Sequence, residues 1–528
     1  MTTRPNDLHF AARRSARLRP VDLIALALSL LAIAGGSAAA QTAADPNAAA
    51  PPAPAEIPAT PAADPAAIDA KIADVDQTAR IAVRRVEILE EQLAAKAKEP
   101  PAPSIQADDK GFALKSGDGA YTLNLRAQIQ VDTRWFLNDG ALSDRADTFL
   151  VRRLRPSIDG KLFGLVDYKI VPDFAGGQVV VFDAYLDAHP LPWLRLRTGK
   201  FKTPLGLERL QADNDLVFIE RALTQWLTPT RDVGAALWGD IAGGIVSYSV
   251  GVYNGAVDGA NPDVDVNHAK DFAGRLLIQP FKADALGDLG SLGLHFAAST
   301  GNRGPGTPTA AAATATPQLP SFRSGGQSTI FSYLTSTTDP AGTVFAHLRQ
   351  TRINPGLYYY FGPLGILGEY VQSRQEVQKG NVTATLKHQA ANAMVSFVIG
   401  GKASYEGATP TNRLDLAKGT LGALEIGVRW NYLKVDDATF GNTADPTAPV
   451  FADEKRSVRK ANGFGGALTY VPSRTVRFAV NFEQTRFTAG SSVSTTTTDP
   501  TTMKTTTTTT VADRKTENAL FGRAQVNF

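Results

Sequence analysis

The chain has 528 residues and no cysteine, which excludes both a disulfide framework and a thiolate metal site. Beyond residue 40 it also lacks any run of the roughly 20 apolar residues that a membrane-spanning helix needs. Its six histidines are scattered, and the motifs G-x-S-x-G, H-E-x-x-H and a strand-to-helix G-x-G-x-x-G are missing. We therefore expect neither a helical membrane protein nor an enzyme, and we expect no cofactor or metal.

The chain also carries little net charge. The formal net charge is +3, and residues 1–40 hold five Arg against two Asp, so the rest of the chain is neutral. Domains that bind nucleic acids usually carry a marked basic excess. The charge balance therefore predicts that nucleic acid is not a partner.

The N-terminal residues have the pattern of an export signal. A basic segment precedes an apolar run from Val21 to Ala34, and small residues up to Ala40 offer a cleavage site before Gln41. A transmembrane anchor is the alternative, but the apolar core is short and ends in small residues. The pattern predicts a signal peptide over residues 1–40 and export of the remaining chain.

Two further segments precede a change in pattern near residue 121. Residues 41–67 are rich in Ala and Pro, which is typical of an extended linker. In residues 68–98 apolar side chains are spaced alternately four and three, as in a heptad seam: Ile68, Ile72, Val75, Ala79, Ala82, Val86, Leu89 and Leu93. A lone amphipathic helix is the alternative, but so narrow a seam favours self-association as a coiled coil. Prolines follow, and residues 99–120 are expected to be a second linker.

From Tyr121 onward, apolar residues recur at every second position, which is the spacing of a β-strand. In "YTLNLRAQIQVDTRW", apolar residues alternate with Asn, Arg, Gln and Asp over a strand that is long for a soluble sheet. The same alternation recurs within 166–174, 246–252, 424–432, 476–483 and 520–528. Short turns near 163–164, 190–192, 240–243, 361–363 and 472–474 alternate with long polar segments near 200–232, 254–268, 300–342, 434–460 and 488–514.

This alternation of short and long connections predicts a transmembrane β-barrel over residues 121–528. Outer-membrane barrels have short periplasmic turns, long external loops and an even number of strands, and the pattern gives about sixteen antiparallel strands here. Closure lets every backbone group pair, as lipid requires. A soluble sandwich is the alternative, but it would not place so many charged residues opposite long apolar faces. The terminal Phe528 also resembles the end of bacterial outer-membrane barrels.

The segment "RTGKFKTPLGLERL" (197–210) combines basic residues with glycines but is not a nucleotide-binding loop. In a Walker motif the lysine follows the second glycine and a helix begins there, whereas here Lys200 follows the first glycine and Pro204 intervenes. Together with "LVRRLRPSIDGKLFGLVDYKIVPDF" (150–174), "VFDAYLDAH" (181–189) and "FIERALTQWLTPTRDVG" (218–234), this segment resembles the phosphate-selective porin O and P family. The resemblance covers roughly residues 110–528.

The resemblance implies a trimeric, sixteen-stranded porin whose third loop folds inward, with an arginine ladder leading to a lysine-containing anion site. Lys200 and Lys202 match the basic positions that open the third loop, and Asp183 is the candidate acidic neighbour, with Asp167 and Asp173 as alternatives. The later basic positions of the loop and the arginines with lumen parity are Arg209, Arg221, Arg231, Arg153, Arg155, Arg195 and Arg197.

These features predict an outer-membrane porin for passive diffusion of small anions, phosphate or polyphosphate being favoured, through a constriction lined by lysine and arginine. Rows of guanidinium forks in a low-dielectric lumen would pass phosphate between moderate sites. A non-selective porin is the first alternative, because Asp167, Asp173, Asp183 and Asp187 could neutralise the arginines. The second is an envelope-spacing protein whose periplasmic N-terminal segment contacts the cell wall. Outer-membrane lipid and two further copies of the chain are the other expected partners.

Overall fold

The structure, a computed structural model, describes residues 64–98, 102–137, 146–265, 268–282, 289–303, 317–441 and 447–528. The predicted signal peptide and most of the predicted linker over 41–67 lie outside the described residues. Helix α1 (Pro65–Lys98) covers the segment expected to form a coiled coil. Its apolar side chains at Ile72, Val75 and Leu93 are each more than 60% exposed. Among the described residues, no helix is both long enough and apolar enough to cross a membrane.

The described residues that follow form twenty-three strands and a short helix, α2 (Leu207–Leu210). In chain order the strands are β1 (Ser104–Asp108), β2 (Gly111–Lys115), β3 (Thr122–Phe136), β4 (Thr148–Leu162), β5 (Val166–Asp173), β6 (Val180–Leu191), β7 (Leu194–Phe201), β8 (Asp232–Ile241), β9 (Val246–Tyr253), β10 (Asp271–Ile278), β11 (Gly293–Arg303), β12 (Phe322–Arg323), β13 (Thr329–Phe331), β14 (Val344–Phe361), β15 (Leu364–Lys379), β16 (Val382–Ile399), β17 (Gly401–Lys402), β18 (Thr409–Pro410), β19 (Ala423–Lys434), β20 (Val458–Val471), β21 (Val476–Thr498), β22 (Thr505–Asp513) and β23 (Glu517–Asn527).

Sixteen of these strands close into an antiparallel barrel: β3–β11, β14–β16, β19–β21 and β23. The last strand pairs with the first, with Val526 opposite Ile129. The terminal Phe528 continues this ladder, since its backbone exchanges hydrogen bonds of 2.7 and 3.0 Å with Ala127. The predicted sixteen-stranded barrel is confirmed. Within the segment expected to be a linker over 99–120, β1 and β2 form a hairpin that adds to β3, with Phe112 opposite Leu125.

Alternation along each strand separates a lipid-facing from a lumen-facing surface. On β3 the side chains of Leu125, Val131 and Trp135 are exposed, whereas Gln130 and Asp132 are buried inside. The apolar side chains on the outside contact lipid without a free-energy penalty, and the polar side chains line the interior of the barrel. The sequence period of two therefore follows directly from the two solvents on either side of the wall.

The connections follow the predicted asymmetry, with three differences. Short turns join β4 to β5, β6 to β7, β8 to β9, β14 to β15 and β20 to β21. On the same side, residues 400–422 form a longer connection that contains β17 and β18. On the other side, β15 and β16 are joined by only two residues, and the Thr-rich segment near 488–514 extends β21 into a hairpin with β22. The many β-branched threonines of that segment suit a strand.

The long loops fold inward and pack against the inner wall of β14–β21. Leu223 and Leu227, from the segment between β7 and β8, pack with Phe322 and Phe331, from the segment between β11 and β14. The wall contributes Val371, Leu386 and Leu433 to this cluster. A second cluster joins Leu207 and Phe218 to Leu367 and Met394. Apolar packing thus fills one side of the barrel interior, and polar side chains line the side formed by β4–β10.

Candidate pore constriction

The segment between β7 and β8, residues 202–231, runs across the barrel interior to the opposite wall. Glu369 on β15 accepts hydrogen bonds from the backbone N–H of Leu207 at 2.6 Å and the hydroxyl of Thr224 at 3.0 Å. On β21, Asn481 accepts a hydrogen bond from the N–H of Ile219 at 2.5 Å. These bonds to distant strands hold the loop inside the lumen, the position that the resemblance implied for the third loop.

Local sequence explains how the loop enters. Pro204 follows β7 and cannot donate to a further ladder bond. Gly206 has a φ of 81°, and a Cβ there would lie 2.6 Å from the Cβ of Arg209, so a glycine is required. Its N–H donates to Asn354 on β14 at 2.8 Å. The glycine thus lets the chain leave the wall and begin α2 inside the barrel.

Lys202 lies at the base of this loop and faces the lumen. Its Nζ donates to the backbone carbonyls of Leu210 at 3.1 Å and Gln211 at 2.6 Å. Among the described residues it forms no ion pair with a carboxylate. Carbonyl contacts hold this amine in place, and one of its three donors stays available. Burial lowers the pKa of Lys202 well below its usual range, and the nearby Arg231 and Arg221 lower it further.

Arg231 lies at the end of the same loop. Its guanidinium forms a two-bond ion pair with Asp183 at 3.0 and 3.3 Å. It also lies 3.5 Å from the centre of the Phe182 ring, and the guanidinium of Arg155 lies 3.4 Å from the same centre. The ring therefore lies between two cations, which its negative faces attract. Asp183, the candidate acidic neighbour, is placed beside Arg231.

Asp213, in the same loop, is a carboxylate to which three arginines converge. Arg155 and Arg221 both contact its carboxylate oxygens, and Arg153 lies 3.2 Å away. Arg155 also pairs with Asp173 at 2.6 Å. One carboxylate among three guanidiniums leaves this group positively charged, even when the second carboxylate is included.

Arg195 and Arg197 lie further from the loop, near the short turns. Arg195 pairs with Asp167 at 3.2 Å, and Arg197 pairs with Asp187 at 2.6 Å. Both guanidiniums also stack on Trp238, at 4.2 and 4.8 Å from the ring centre. Each of these two arginines therefore has a carboxylate partner beside it.

Two predicted site residues lie apart from this group. Arg209 is buried within the loop, where its Nη2 donates to the backbone carbonyl of Gln225 at 2.7 Å. Lys200 lies on the opposite face of β7 from Arg197 and Phe201, and its ammonium contacts Asp263. Because side chains alternate along a strand, the step from Phe201 to Lys200 turns the lysine away from the lumen.

Two cavities flank the base of the loop, with volumes of about 680 and 290 Å³. Four charged side chains line both cavities: Lys169, Asp183, Lys202 and Arg231. Three cations and one anion give this shared group a positive charge. Within the described ranges, no cluster of three or more His, Asp or Glu side chains could hold a metal ion.

Sequence reasoning missed Lys169, Arg275 and Asp213 as members of the site. Lys169 and Arg275 line the larger cavity and form no ion pair with a carboxylate in the part of the chain that the structure describes. Each lies an even number of positions from lumen-facing residues of its strand, β5 or β10. The alternation of side chains along a strand could therefore have identified both as lumen residues. Asp213 lies in a loop without periodicity, and no sequence signal indicated its position.

A closed barrel with a loop inside its lumen and charged residues along the remaining passage defines a porin, a channel of the outer membrane. A model of the phosphate-selective porin O and P family matches residues 123–528, and the chain belongs to that family. The resemblance seen in the sequence is thereby confirmed. No curated protein shows significant sequence similarity to the chain.

Several solved outer-membrane proteins are similar to this chain. The anion-selective porin from Comamonas acidovorans is 10% identical, with 77% of this chain and 100% of that chain covered and a TM-score of 0.46. The outer membrane channel DcaP of Acinetobacter baumannii is 12% identical, with coverage of 79% and 99% and a TM-score of 0.45. A loop L8 deletion mutant of OmpT from Vibrio cholerae is 10% identical, with coverage of 78% and 100% and a TM-score of 0.46.

Proposed function

We propose that this porin carries small anions by passive diffusion, with inorganic phosphate or polyphosphate as the favoured solute. The observation that supports the proposal most is the position of Lys202. Its ammonium faces both lumen cavities and is held by two backbone carbonyls rather than by a carboxylate. An ion entering the constriction therefore meets a lysine that no carboxylate contacts. Burial and the nearby Arg231 and Arg221 lower the pKa of this lysine, and a bound anion would counteract that shift.

Neighbouring charges extend this site in both directions. Lys169 and Arg231 line the same cavities, and Arg275 lies on the wall of the larger one. Guanidinium and ammonium groups offer several donors to each phosphate oxygen in turn. Low-dielectric walls around a narrow passage strengthen the field of such charges. A series of moderate sites lets an ion enter and leave, which a single tight site would prevent.

A porin with little ion preference is the second candidate, and the ion pairs favour it. Six predicted arginines contact carboxylates: Arg153, Arg155, Arg195, Arg197, Arg221 and Arg231. Each such pair weakens the field that the arginine alone would produce. Under this alternative Lys202 and Lys169 would be too few to select anions.

Block of the chloride current by phosphate distinguishes the two candidates. Single channels in a planar bilayer would be recorded in chloride at constant ionic strength, with inorganic phosphate added in steps. A phosphate site in the constriction predicts a saturable block at low concentration, with sulfate as the matched control anion. A current that falls only in proportion to the replaced chloride would support the non-selective porin.

We also propose that three chains associate, with α1 as a periplasmic coiled coil. The exposed apolar seam supports this, since Val86 and Leu89 continue the spacing begun by Ile72 and Val75. Deletion of residues 41–105 tests it together with the spacer hypothesis. Loss of trimers on a native gel would support the coiled coil, whereas intact trimers with a detached envelope would favour a spacer that holds the cell wall.

A further inference from the structure

Six basic residues lie on the membrane-facing side of neighbouring barrel strands, near the ends that carry the long loops. They are Arg349, Arg374, Lys387, Lys434, Lys460 and Arg486, called the basic row below. Each has outward parity, because it alternates with buried lumen residues on its strand. In this barrel topology the loop ends face the cell exterior, so the row lies at the outer leaflet.

The register brings members of the row directly beside one another. Arg374 is opposite Lys387, and Lys434 is opposite Lys460. Like charges opposite each other in a sheet are destabilising. Within the described residues one side chain of the row forms an ion pair, that of Lys434 with Asp437 at 3.0 Å. Two further carboxylates lie close by: Glu376 shares the outward face of β15 with Arg374, and Asp436 accepts a hydrogen bond from the backbone N–H of Lys387 at 2.7 Å. Six cations beside three carboxylates leave the row with a net positive charge.

Aromatic residues lie below the row at a constant spacing. On four strands an outward aromatic residue stands four positions nearer the periplasm than the basic residue. The pairs are Arg374 with Tyr370, Lys434 with Trp430, Lys460 with Phe464 and Arg486 with Phe482. Four strand residues span about 13 Å, so the rings lie where the headgroup region meets the acyl chains.

An apolar hollow of about 1120 Å³ opens on the same wall, at the level of these rings. Tyr370, Trp430, Phe464 and Phe482 are among its lining residues. The hollow exists because small residues interrupt the wall, and a Cβ added at Gly466 would meet no atom within 4 Å. The wall thus combines a cationic rim with an apolar recess beneath it.

We propose that this wall binds a phosphorylated glycolipid of the outer leaflet, of the lipid A type. Its phosphates would lie among the basic row, and one or more acyl chains would occupy the hollow. Two observations favour this occupant. Its phosphates complement the positive charge of the row, and an amphiphile has a polar head next to an apolar tail, just as the row lies next to the hollow. On β3 and β4 the outward residues near the loop ends are Trp135 and Phe149, so the feature belongs to one side of the barrel.

Binding of defined lipids to the purified full-length protein tests the proposal. Bisphosphorylated lipid A would be titrated in detergent and counted by native mass spectrometry, beside its fully dephosphorylated form. The double variant Lys460→Gln/Arg486→Gln is expected to bind lipid A about tenfold or more weakly, since each basic group near an anionic surface contributes to binding. The control Lys455→Gln/Arg456→Gln removes one Lys and one Arg from an exposed loop nearby and should change binding less than about twofold.

A second variant tests the recess separately. Gly466→Leu would fill the hollow without a steric clash of its Cβ, and should weaken binding of lipid A while leaving the row intact. Equal affinity for both lipids, or equal effects of the row and control variants, would overturn the proposal. So would displacement by millimolar inorganic phosphate, which would indicate a free-anion site, or a stoichiometry showing that a second chain covers the wall. Chloride conductance in phospholipid bilayers should be the same in all these variants, because the test does not depend on pore selectivity.

Discussion

The guanidinium of Arg231 lies 3.5 Å from the centre of the Phe182 ring, so an aromatic residue sits inside a polar lumen beside a cation. Arg155 lies at 3.4 Å from the same centre. The ring keeps two positive charges close together, and unlike a carboxylate it does not cancel them. The ring thus positions the two guanidiniums, and separate ion pairs with Asp183 and Asp213 balance their charge.

Replacement of Phe182 by leucine tests that role. The variant keeps an apolar side chain but loses the attraction of the ring, worth about 0.5–2 kcal/mol for each cation. We expect a lower thermal unfolding temperature and a weaker phosphate block, because the guanidiniums are no longer held together. Phe201→Leu is the control, since Phe201 packs mainly on Tyr185 and Tyr253. If both variants weaken the block equally, the ring of Phe182 has no special role.

Two neighbouring lysines provide a matched pair for the lumen charge. Lys202→Glu replaces a cation that faces both cavities, and is expected to abolish phosphate block and lower the chloride preference. Lys200→Glu makes the same chemical change on the outward face, where the side chain contacts Asp263. It should leave both quantities unchanged in single-channel recordings. Equal effects of the two substitutions would contradict the assignment of Lys202 to the constriction.

The carboxylate of Asp213 holds three arginines together, so its removal should destabilise the loop. Asp213→Asn leaves Arg153, Arg155 and Arg221 without this partner. Breaking a buried ion pair costs about 3–5 kcal/mol, an upper value for a lumen that admits water. Inorganic phosphate should restore part of the lost stability, because its oxygens can replace the carboxylate.

Thermal unfolding in phosphate and in chloride at equal ionic strength measures this effect. Asp263→Asn is the control, because it breaks an ion pair outside the lumen whose carboxylate is 54% exposed, worth about 1 kcal/mol or less. Phosphate that stabilises the wild type and Asp213→Asn to the same extent would contradict an anion site among the three arginines.

The barrel was predictable because each strand faces two solvents. Alternation in β3 and in β23 reports lipid on one side and lumen on the other, and no loop detail is needed to recognise it. Bulges disturb this rule locally. Arg152 is an extra residue between Arg153 and Val151 in the pairing with β3, so it faces the lumen together with Arg153 and bonds Glu220.

The site was predictable only in part, for the same reason. Phe182 is an extra residue where β6 pairs with β5. Simple alternation from the inward-facing Asp183 would therefore predict that Phe182 faces lipid. Lys200 matched a family position by type, but its parity points outward. Asp213 and the bonds of Leu207 to Glu369 depend on the path of an aperiodic loop. Spacing along a sequence carries no information on which distant strand such a loop reaches.

Anion preference should depend on pH through Asp215, which lies in the loop outside the spanning strands. Burial raises the pKa of its carboxyl to about 6; Arg477 opposes that shift, and Glu406 adds to it. At pH 7.5 the group is ionised, and at pH 5 it is mostly protonated. The lumen therefore gains positive charge as pH falls, and the ratio of chloride to potassium permeability should rise.

Reversal potentials measured from pH 5 to pH 7.5 check this expectation. Asp215→Asn should keep the permeability ratio at its high, low-pH value throughout the range, because the titrating carboxyl is gone. A variant whose ratio still changes with pH as in the wild type would show that another group is responsible.

The reversal potential of the wild-type channel measures whether the constriction prefers anions. The purified porin would be placed in a planar bilayer between concentrated and dilute potassium chloride at neutral pH. Lys169, Lys202 and Arg275, which have no carboxylate partner among the described residues, predict a potential whose sign shows chloride to be the more permeant ion. A potential of zero, or one of the opposite sign, would show that the constriction does not prefer anions.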